Sequence, residues 1–236
     1  MAGVALITGA DRGLGQALCA GLLDRGWRVF AGQYMPEWPE LAALAERFPG
    51  AVEIVPLDVS STESVAAAAR AVAERCDRLD LVINNAGINA GRTELREGLD
   101  WDAMHRAYNV NALGPIRVVE AFLPLMAEGM RRLAFVSSEA GSIAMNGRQG
   151  SFGYCMSKTA LNMAVRILHN ELRPEGYTFR LYHPGWVRSY MSGQKNPRAT
   201  LEPEEAAACA LPFFLGDRED EDRLVLIDYE GREWPF

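Results

Sequence analysis

The sequence predicts a single doubly wound α/β domain, with a mainly parallel sheet of seven strands covered by helices on both faces. Three observations lead there. Apolar runs of strand length alternate along the chain with helix-length amphipathic segments, the pattern of parallel strands joined by crossover helices. A glycine-rich turn follows the first strand and opens straight into a helical pattern. The 236 residues show no repeat, no low-complexity linker and no break in composition, so one domain over 1–236 is expected to account for all of them.

In chain order, Val4 to Thr8 reads as the first strand and Leu14 to Arg25 as the helix after it. Arg28 to Gln33, Val52 to Leu57 and Leu79 to Ile83 are the next three strands, with helices over Leu41 to Phe48 and Ser64 to Arg75 between them. The run Ala66-Ala67-Ala68-Ala69 suits the close packing of that last helix. Asp100 to Met126 reads as one long helix, Arg132 to Ser137 as the fifth strand and Tyr154 to Leu172 as the next helix. Thr178 to Tyr182, a helix over Pro203 to Leu215, and Arg223 to Ile227 complete the set. Gly193 to Thr200, polar and containing Pro197, is the one segment that reads as a loop or lid.

Composition excludes several classes of function. Hydrophobic residues at 49% and charged residues at 23% are those of an ordinary globular chain. A net charge of −7 argues against nucleic acid as a partner. No uncharged apolar run is long enough to span a membrane, and Met1 to Ala10 lacks the features of a signal peptide, so a cytoplasmic protein without a membrane partner is expected. Cys19, Cys76, Cys155 and Cys209 lack paired spacing, as expected of reduced thiols, and His105, His169 and His183 add no metal-ligand pattern.

The turn after the first strand reads Thr8-Gly9-Ala10-Asp11-Arg12-Gly13-Leu14-Gly15. Glycines there let the backbone turn sharply and approach a pyrophosphate, which rests on free N–H groups at the helix N-terminus. The spacing Gly-x-x-x-Gly-x-Gly lacks the Gly-Lys-Ser/Thr ending of a nucleotide triphosphatase, so a dinucleotide is favoured over ATP and the fold is expected to be Rossmann-type.

Further along, Asn84-Asn85-Ala86-Gly87 follows the fourth strand and Tyr154-Cys155-Met156-Ser157-Lys158 opens a helix. Together with Thr8 to Gly15, these motifs resemble the short-chain dehydrogenase/reductase family. The resemblance covers nearly the whole chain: Asp58, Asn111 in Asn-Val-Asn-Ala-Leu-Gly, Ser138 and Pro184-Gly185 also fall in family order. Within the family, Gly141-Ser142-Ile143, His183-Pro184-Gly185-Trp186-Val187 and Asp228 to Trp234 resemble the C-factor-like, carbonyl-reductase branch.

Tyr154 and Lys158 are four residues apart on a helix and share one face. Bringing a phenol down by ~2 to 3 pKa units takes roughly 3 to 4 kcal/mol. One charge at ~4 Å in an effective dielectric near 20 supplies about 4 kcal/mol, so Lys158 is expected to lower the Tyr154 pKa. Of the 24 basic residues 22 are arginine, and the lysine at this position points to a need for a compact ammonium. By resemblance, Tyr154 is the general acid and base, Lys158 orients the nicotinamide ribose, Ser138 polarises the substrate carbonyl and Asn111 holds a water in the proton path.

The resemblance places cofactor contacts at Gly9, Asp11, Arg12, Gly13, Leu14 and Gly15 of the first turn, at Tyr34 beyond the second strand, and at Asp58 and Val59 beyond the third. It adds Asn85, Ala86 and Gly87, then Tyr154 and Lys158, and finally Pro184, Gly185, Val187 and Ser189. Paired asparagines after a strand also bridge neighbouring strands, so Asn84 and Asn85 carry a structural reading as well. The second strand ends Gly32-Gln33-Tyr34-Met35, without an acidic residue for the ribose of NAD or an arginine for a 2′-phosphate. Arg12 resembles the basic position of NADP-preferring members, so NADP(H) is preferred, with NAD(H) as the alternative.

These readings imply an NAD(P)(H)-dependent oxidoreductase that interconverts a ketone or aldehyde and an alcohol by hydride transfer. Its partner is a small-molecule carbonyl or alcohol substrate, and homo-oligomerisation is left open. A non-catalytic dinucleotide-sensing protein on the same fold is the alternative, and a lyase or epimerase a more remote one. Two features depart from the family pattern: Ser189 stands where a threonine is usual, and the stretch from Ser138 to Tyr154 is long. Among the nearby hydroxyls Ser138 is placed at the strand end, Ser137 on the opposite face, Ser142 in a turn and Ser151 as a helix cap. Met145, Arg148, Phe152, Trp186, Tyr190 and Met191 are expected near a mostly apolar substrate pocket.

Overall fold

The computed structural model describes residues 2–191 and 195–236. Gly193 and Gln194 of the expected loop lie outside the described residues. Strands β1 (Val4–Ile7), β2 (Arg28–Gln33), β3 (Val52–Pro56), β4 (Leu81–Asn84), β5 (Arg132–Val136), β6 (Thr178–His183) and β7 (Leu226–Asp228) run parallel in the order β3-β2-β1-β4-β5-β6-β7. An eighth strand, β8 (Glu233–Trp234), pairs antiparallel with β7 and corrects the expected count of seven. It is two residues long and polar at one of them, too short to show a period. The buried Asp228 carboxylate builds its turn, accepting from the backbone of Glu230 and Arg232 and from Trp234 Nε1.

The strands alternate between two cores, as a period of two requires when both faces are covered. Ala5, Ile7, Val29, Ala31, Leu81 and Ile83 face one core, which helices α1 (Gly13–Leu23), α2 (Glu40–Arg47) and α7 (Pro203–Leu215) close. Leu6, Phe30, Val82, Leu133 and Phe135 face the other, beneath α3 (Thr62–Ala73), α5 (Gly114–Phe122) and α6 (Phe152–Leu172). Because both faces are apolar, central strands such as β1 (Val-Ala-Leu-Ile) read in sequence as continuous hydrophobic runs.

The single helix expected over Asp100 to Met126 is broken. Helix α4 (Trp101–Tyr108) passes into a π-helical turn at Asn109–Leu113, then into α5, and ends in a 3₁₀ turn at Leu123–Met126. Pro115 lacks the N–H that would answer the Asn111 carbonyl in a continuous α-helix, and the chain widens there to compensate. This break packs Asn111 against α6, whose Ser157 Oγ lies 2.9 Å from Asn111 Nδ2.

The sheet order reverses between β1 and β4, where the chain leaves β1 on both sides. In open α/β sheets the ligand crevice lies beyond the carboxyl ends of the strands at such a point. A cavity of about 880 Å³ opens there.

Candidate active site

Beyond β1 the chain turns through Gly9 and Gly13, both with positive φ (63° and 56°), into α1. A Cβ on Gly9 would lie 2.9 Å from Ala86 Cα, and one on Gly15 would collide with the Gly9 carbonyl oxygen and come within 2.6 Å of Asn85 Nδ2. The turn is therefore packed as tightly as glycine allows. At the helix start, Arg12 occupies the cap position in extended conformation without a side-chain cap, and the first turn of α1 holds no acidic residue. The amides at this end are left to an anion from outside the chain, and the cradle fits a pyrophosphate.

The neighbouring strand ends are tied to this turn. Thr8 Oγ1 accepts from the amides of Asn85 (3.1 Å) and Ala86 (3.0 Å), and Asn85 Nδ2 donates to the carbonyls of Thr8 and Gly9, both at 3.0 Å. Asn84 Nδ2 reaches Ala134 O of β5 at 3.4 Å. The asparagine pair thus bridges both neighbours of β4, as its structural reading expects, while Asn85 also lines the cavity. Asp11 Oδ1 accepts from the amides of Tyr34 (2.8 Å) and Met35 (2.7 Å), fastening the segment beyond β2 to the glycine turn. Asp58 Oδ1 accepts from Ser60 N and Ser60 Oγ, and Ser61 caps α3.

The Arg12 guanidinium carbon lies over the Trp38 ring, 4.2 Å from its centroid, with the Tyr190 centroid at 5.4 Å. A cation held over an aromatic face in this way does not spend its N–H groups on that contact. Arg12 has no carboxylate partner among the described residues.

On α6, Tyr154 and Lys158 face the cavity one turn apart. Lys158 is buried, and its Nζ donates to Val136 O at 2.8 Å, at the end of β5. Burial holds its pKa down at about 8. The expectation that Lys158 lowers the Tyr154 pKa fails in the protein as it stands. Tyr154 lies above the usual phenol range because burial disfavours the phenolate and the Glu139 charge adds to this, against a hydrogen bond with Ser138 and the Arg148 charge. Nζ is 5.9 Å from the tyrosine ring centroid and turned toward a backbone carbonyl.

Ser138 is at the end of β5 and lines the cavity. Its Oγ accepts from Ala140 N at 3.1 Å and donates to Glu139 Oε2 at 2.6 Å. The other oxygen of Glu139 takes Arg148, and His183 Nε2 lies 3.4 Å from Oε2. Burial opposes ionisation of Glu139, but the bond from Ser138 and the Arg148 pair outweigh it and keep the carboxyl below its usual range. Burial likewise lowers the His183 pKa, against the pull of Glu139 and Asp228. Ser137 Oγ is spent on Asn162 Oδ1 at 2.6 Å, and the fully buried Ser142 accepts from Met145 N at 3.3 Å. Ser151 precedes α6 but makes no side-chain cap, contrary to its expected role, because its backbone leaves the extended region that capping requires (φ −84°, ψ 44°).

The cavity brings together Gly9, Asp11, Arg12, Gly13, Leu14, Gly15, Tyr34, Asp58, Val59, Asn85, Ala86, Gly87, Ser138, Tyr154, Lys158, Pro184, Gly185, Val187 and Ser189. Asn111 is the exception. It is fully buried, outside the lining, and its side-chain amide is used up on Ile88 N, Ile88 O and Ser157 Oγ. Of the expected substrate wall, Arg148, Trp186, Tyr190 and Met191 line the cavity, whereas Met145 and Phe152 do not and are exposed. Glu139, His183, Asn89 and Arg106 were missed as lining residues. Glu139 directly follows Ser138 in sequence, and that adjacency is the one signal that pointed to it.

Among the described residues no group of three or more His, Cys, Asp or Glu is placed to hold a metal, and no helix is long and apolar enough to cross a membrane.

Comparison with known proteins agrees with this geometry. The short chain dehydrogenase family model matches residues 3–200. C-signal of Myxococcus xanthus is 42% identical over 160 residues, covering 67% of this chain and 93% of that one. NADPH-bound carbonyl reductase from chicken fatty liver superposes with a TM-score of 0.87 at 29% identity, covering 99% of this chain and 98% of that one. A carbonyl reductase from Pseudomonas aeruginosa PAO1 in complex with NADP gives 0.81 at 30% identity, covering 99% and 100%. With a glycine cradle at the sheet's switch point and Ser138, Tyr154 and Lys158 converging on one cavity, the chain belongs to the short-chain dehydrogenase/reductase family of oxidoreductases, in the branch that resembles C-signal.

Proposed function

We propose that the protein is an NADP(H)-dependent reductase of ketones or aldehydes, reversible with the corresponding alcohols, in which Tyr154 is the general acid and base. The observation that carries this reading is the opening of the uncapped α1 terminus and the Ser138, Tyr154 and Lys158 set into the same cavity. The α1 amides and Gly9, Gly13 and Gly15 hold the pyrophosphate, and Lys158 the nicotinamide ribose. Bound there, a nicotinamide dinucleotide supplies or accepts the hydride. Tyr154 gives its hydroxyl proton to the carbonyl oxygen during reduction and takes it back during oxidation. Ser138 turns its proton from Glu139 to the carbonyl oxygen as that oxygen gains charge. Any water that Asn111 holds is held by its main-chain carbonyl, since its side chain is committed.

Arg12 supports NADP(H), with NAD(H) the weaker partner: it is a cation with open N–H groups at the cofactor end, and Gln33 and Tyr34 offer no carboxylate against a 2′-phosphate. At the substrate end Trp186 and Met191 are apolar, Tyr190 standing instead beside Arg12 and Trp38, and the charges of Glu139 and Arg148 balance. An uncharged, mostly apolar carbonyl compound fits that wall. The test is a panel of ketones and aldehydes assayed with NADPH and NADH, with cofactor binding titrated into wild type and Arg12→Ala. Reduction with NADPH as the better donor, and a selective loss of NADPH affinity in the variant, support the reading. Tighter NADH binding by wild type contradicts the cofactor assignment.

A further inference from the structure

The Glu139 carboxylate has no part in the reaction described so far, yet it takes the Ser138 proton in the cavity that also holds Tyr154. A serine hydroxyl has one proton and two lone pairs. Ser138 gives the proton to Glu139 and one lone pair to Ala140 N–H, which leaves one lone pair on a hydroxyl that lines the same cavity as Tyr154. The bonded row runs from Ser138 to Glu139 to Arg148, along a cavity wall shared with Tyr154. Its far end, Arg148, comes from the long stretch between Ser138 and Tyr154. That stretch is itself held down by Asn146 Nδ2 on Ala140 O (3.2 Å) and by Ala144 N on Phe236 O (3.2 Å).

We propose that Glu139 is a positioning residue for the proton transfer at Tyr154, with Arg148 as its opposing counter-ion, an inference that rests on the reading of Tyr154 as acid and base. The cavity's other carboxylates are engaged elsewhere, Asp11 on the amides of Tyr34 and Met35 and Asp58 on Ser60. Of the remaining groups, Cys155 is beside the phenol on its own helix, and Lys158, His183 at the end of β6 and Arg106 on α4 line the same cavity. Lys158 is turned to Val136 O, and His183 is kept toward its neutral form by burial. Glu139 and Arg148 are thus a fixed pair whose members act on the phenol with opposite sign. The carboxylate keeps Tyr154 a proton donor to higher pH, and the guanidinium limits that effect. Reduction and oxidation shift together, because the overall equilibrium fixes the ratio of their kcat/KM values at any pH.

The test compares wild type, Glu139→Gln, Glu139→Asp, Arg148→Gln and the double variant Glu139→Gln/Arg148→Gln. Two quantities are read: the high-pH limb of kcat/KM for carbonyl reduction, and the Tyr154 phenolate titration of the cofactor-free protein by ultraviolet difference absorbance against Tyr154→Phe. Glu139→Gln is expected to move both down by about one pH unit, the size of effect a neighbouring charge exerts. Arg148→Gln moves them up, Glu139→Asp stays near wild type, and the double variant returns toward it. Shifts of the same sign in both single variants, or no shift in either, overturn the proposal and leave the pair a loop fastening. Where Glu139→Gln folds poorly, Glu139→Asp and Arg148→Gln decide by the same two readouts. A limb that persists unchanged in Tyr154→Phe overturns instead the assignment of Tyr154, and the proposal with it.

Discussion

Lys158 Nζ donates to the carbonyl oxygen of Val136 at 2.8 Å, so the active-site ammonium is anchored to the end of β5 and not to the tyrosine one turn before it. Its burial puts the pKa at about 8, whereas an unfolded chain holds lysine near 10.4. Across that interval the unfolded chain binds more protons, so this group makes stability rise with pH from about 8 to about 10. Below pH 8 the buried charge costs the fold about 3 kcal/mol.

Lys158→Met is therefore expected to raise the thermal stability of the cofactor-free protein at about pH 7, by about 2 kcal/mol after the loss of the Val136 bond. The gain shrinks as the pH approaches 10. Thermal unfolding at several pH values checks it, and a variant less stable than wild type at neutral pH contradicts it. The same substitution removes turnover, as expected where a site keeps a charge for function at the expense of stability.

Two of the three glycines of the cofactor turn, Gly13 and Gly15, separate fold from function. Gly15→Ala drives a methyl group into the Gly9 carbonyl and toward Asn85 Nδ2, so it is expected to destabilise the protein by several kcal/mol. At Gly13 the nearest heavy atom to a new Cβ is Ser189 Cβ at 3.7 Å, and the cost there is mainly that of a positive φ, about 1 kcal/mol. Gly13→Ala keeps the fold and weakens dinucleotide binding, and Gly13→Val abolishes it. Tryptophan fluorescence titration checks both, and unchanged affinity in folded Gly13→Val contradicts the cradle assignment.

Ser138 and Ser142 are four residues apart, but only Ser138 meets the cavity; Ser142 is fully buried on Met145 N. Ser138→Ala is expected to reduce turnover by about a hundredfold or more, the cost of losing a preorganised donor to a developing oxyanion. Ser142→Ala stays within about tenfold, since it loses one turn bond. Steady-state rates on one substrate at saturating cofactor give the order, and the reverse order contradicts the choice of hydroxyl.

The parts of this molecule that are legible in sequence are those written by local chemistry. The apolar runs of β1 to β6, the glycines of the first turn and the four-residue spacing of Tyr154 and Lys158 all follow from period and turn chemistry. Relations between distant segments leave no such trace. Arg132 at the start of β5 and Arg180 within β6 read as ordinary charges, yet both are buried, bonding carbonyls at the end of α7 and pairing with Asp217 and Glu221. Pro115 is visible in the sequence, but the π-helical turn beside it, and the retreat of Asn111 from the cavity, depend on how that turn and α4 pack against α6. The role of Lys158 was legible as a position and misread as a force, because burial of the ammonium and of the phenol is a property of the packed site.

If Tyr154 transfers the proton in a carbonyl reduction, Tyr154→Phe removes that proton from the site. The substitution deletes one hydroxyl and leaves the ring, the helix and the cofactor cradle in place. With a ketone or aldehyde that wild type reduces, the expected result is unchanged dinucleotide affinity and turnover reduced at least a hundredfold, the scale of general acid catalysis. Turnover within a few-fold of wild type in a folded, cofactor-binding Tyr154→Phe protein would contradict proton transfer by Tyr154.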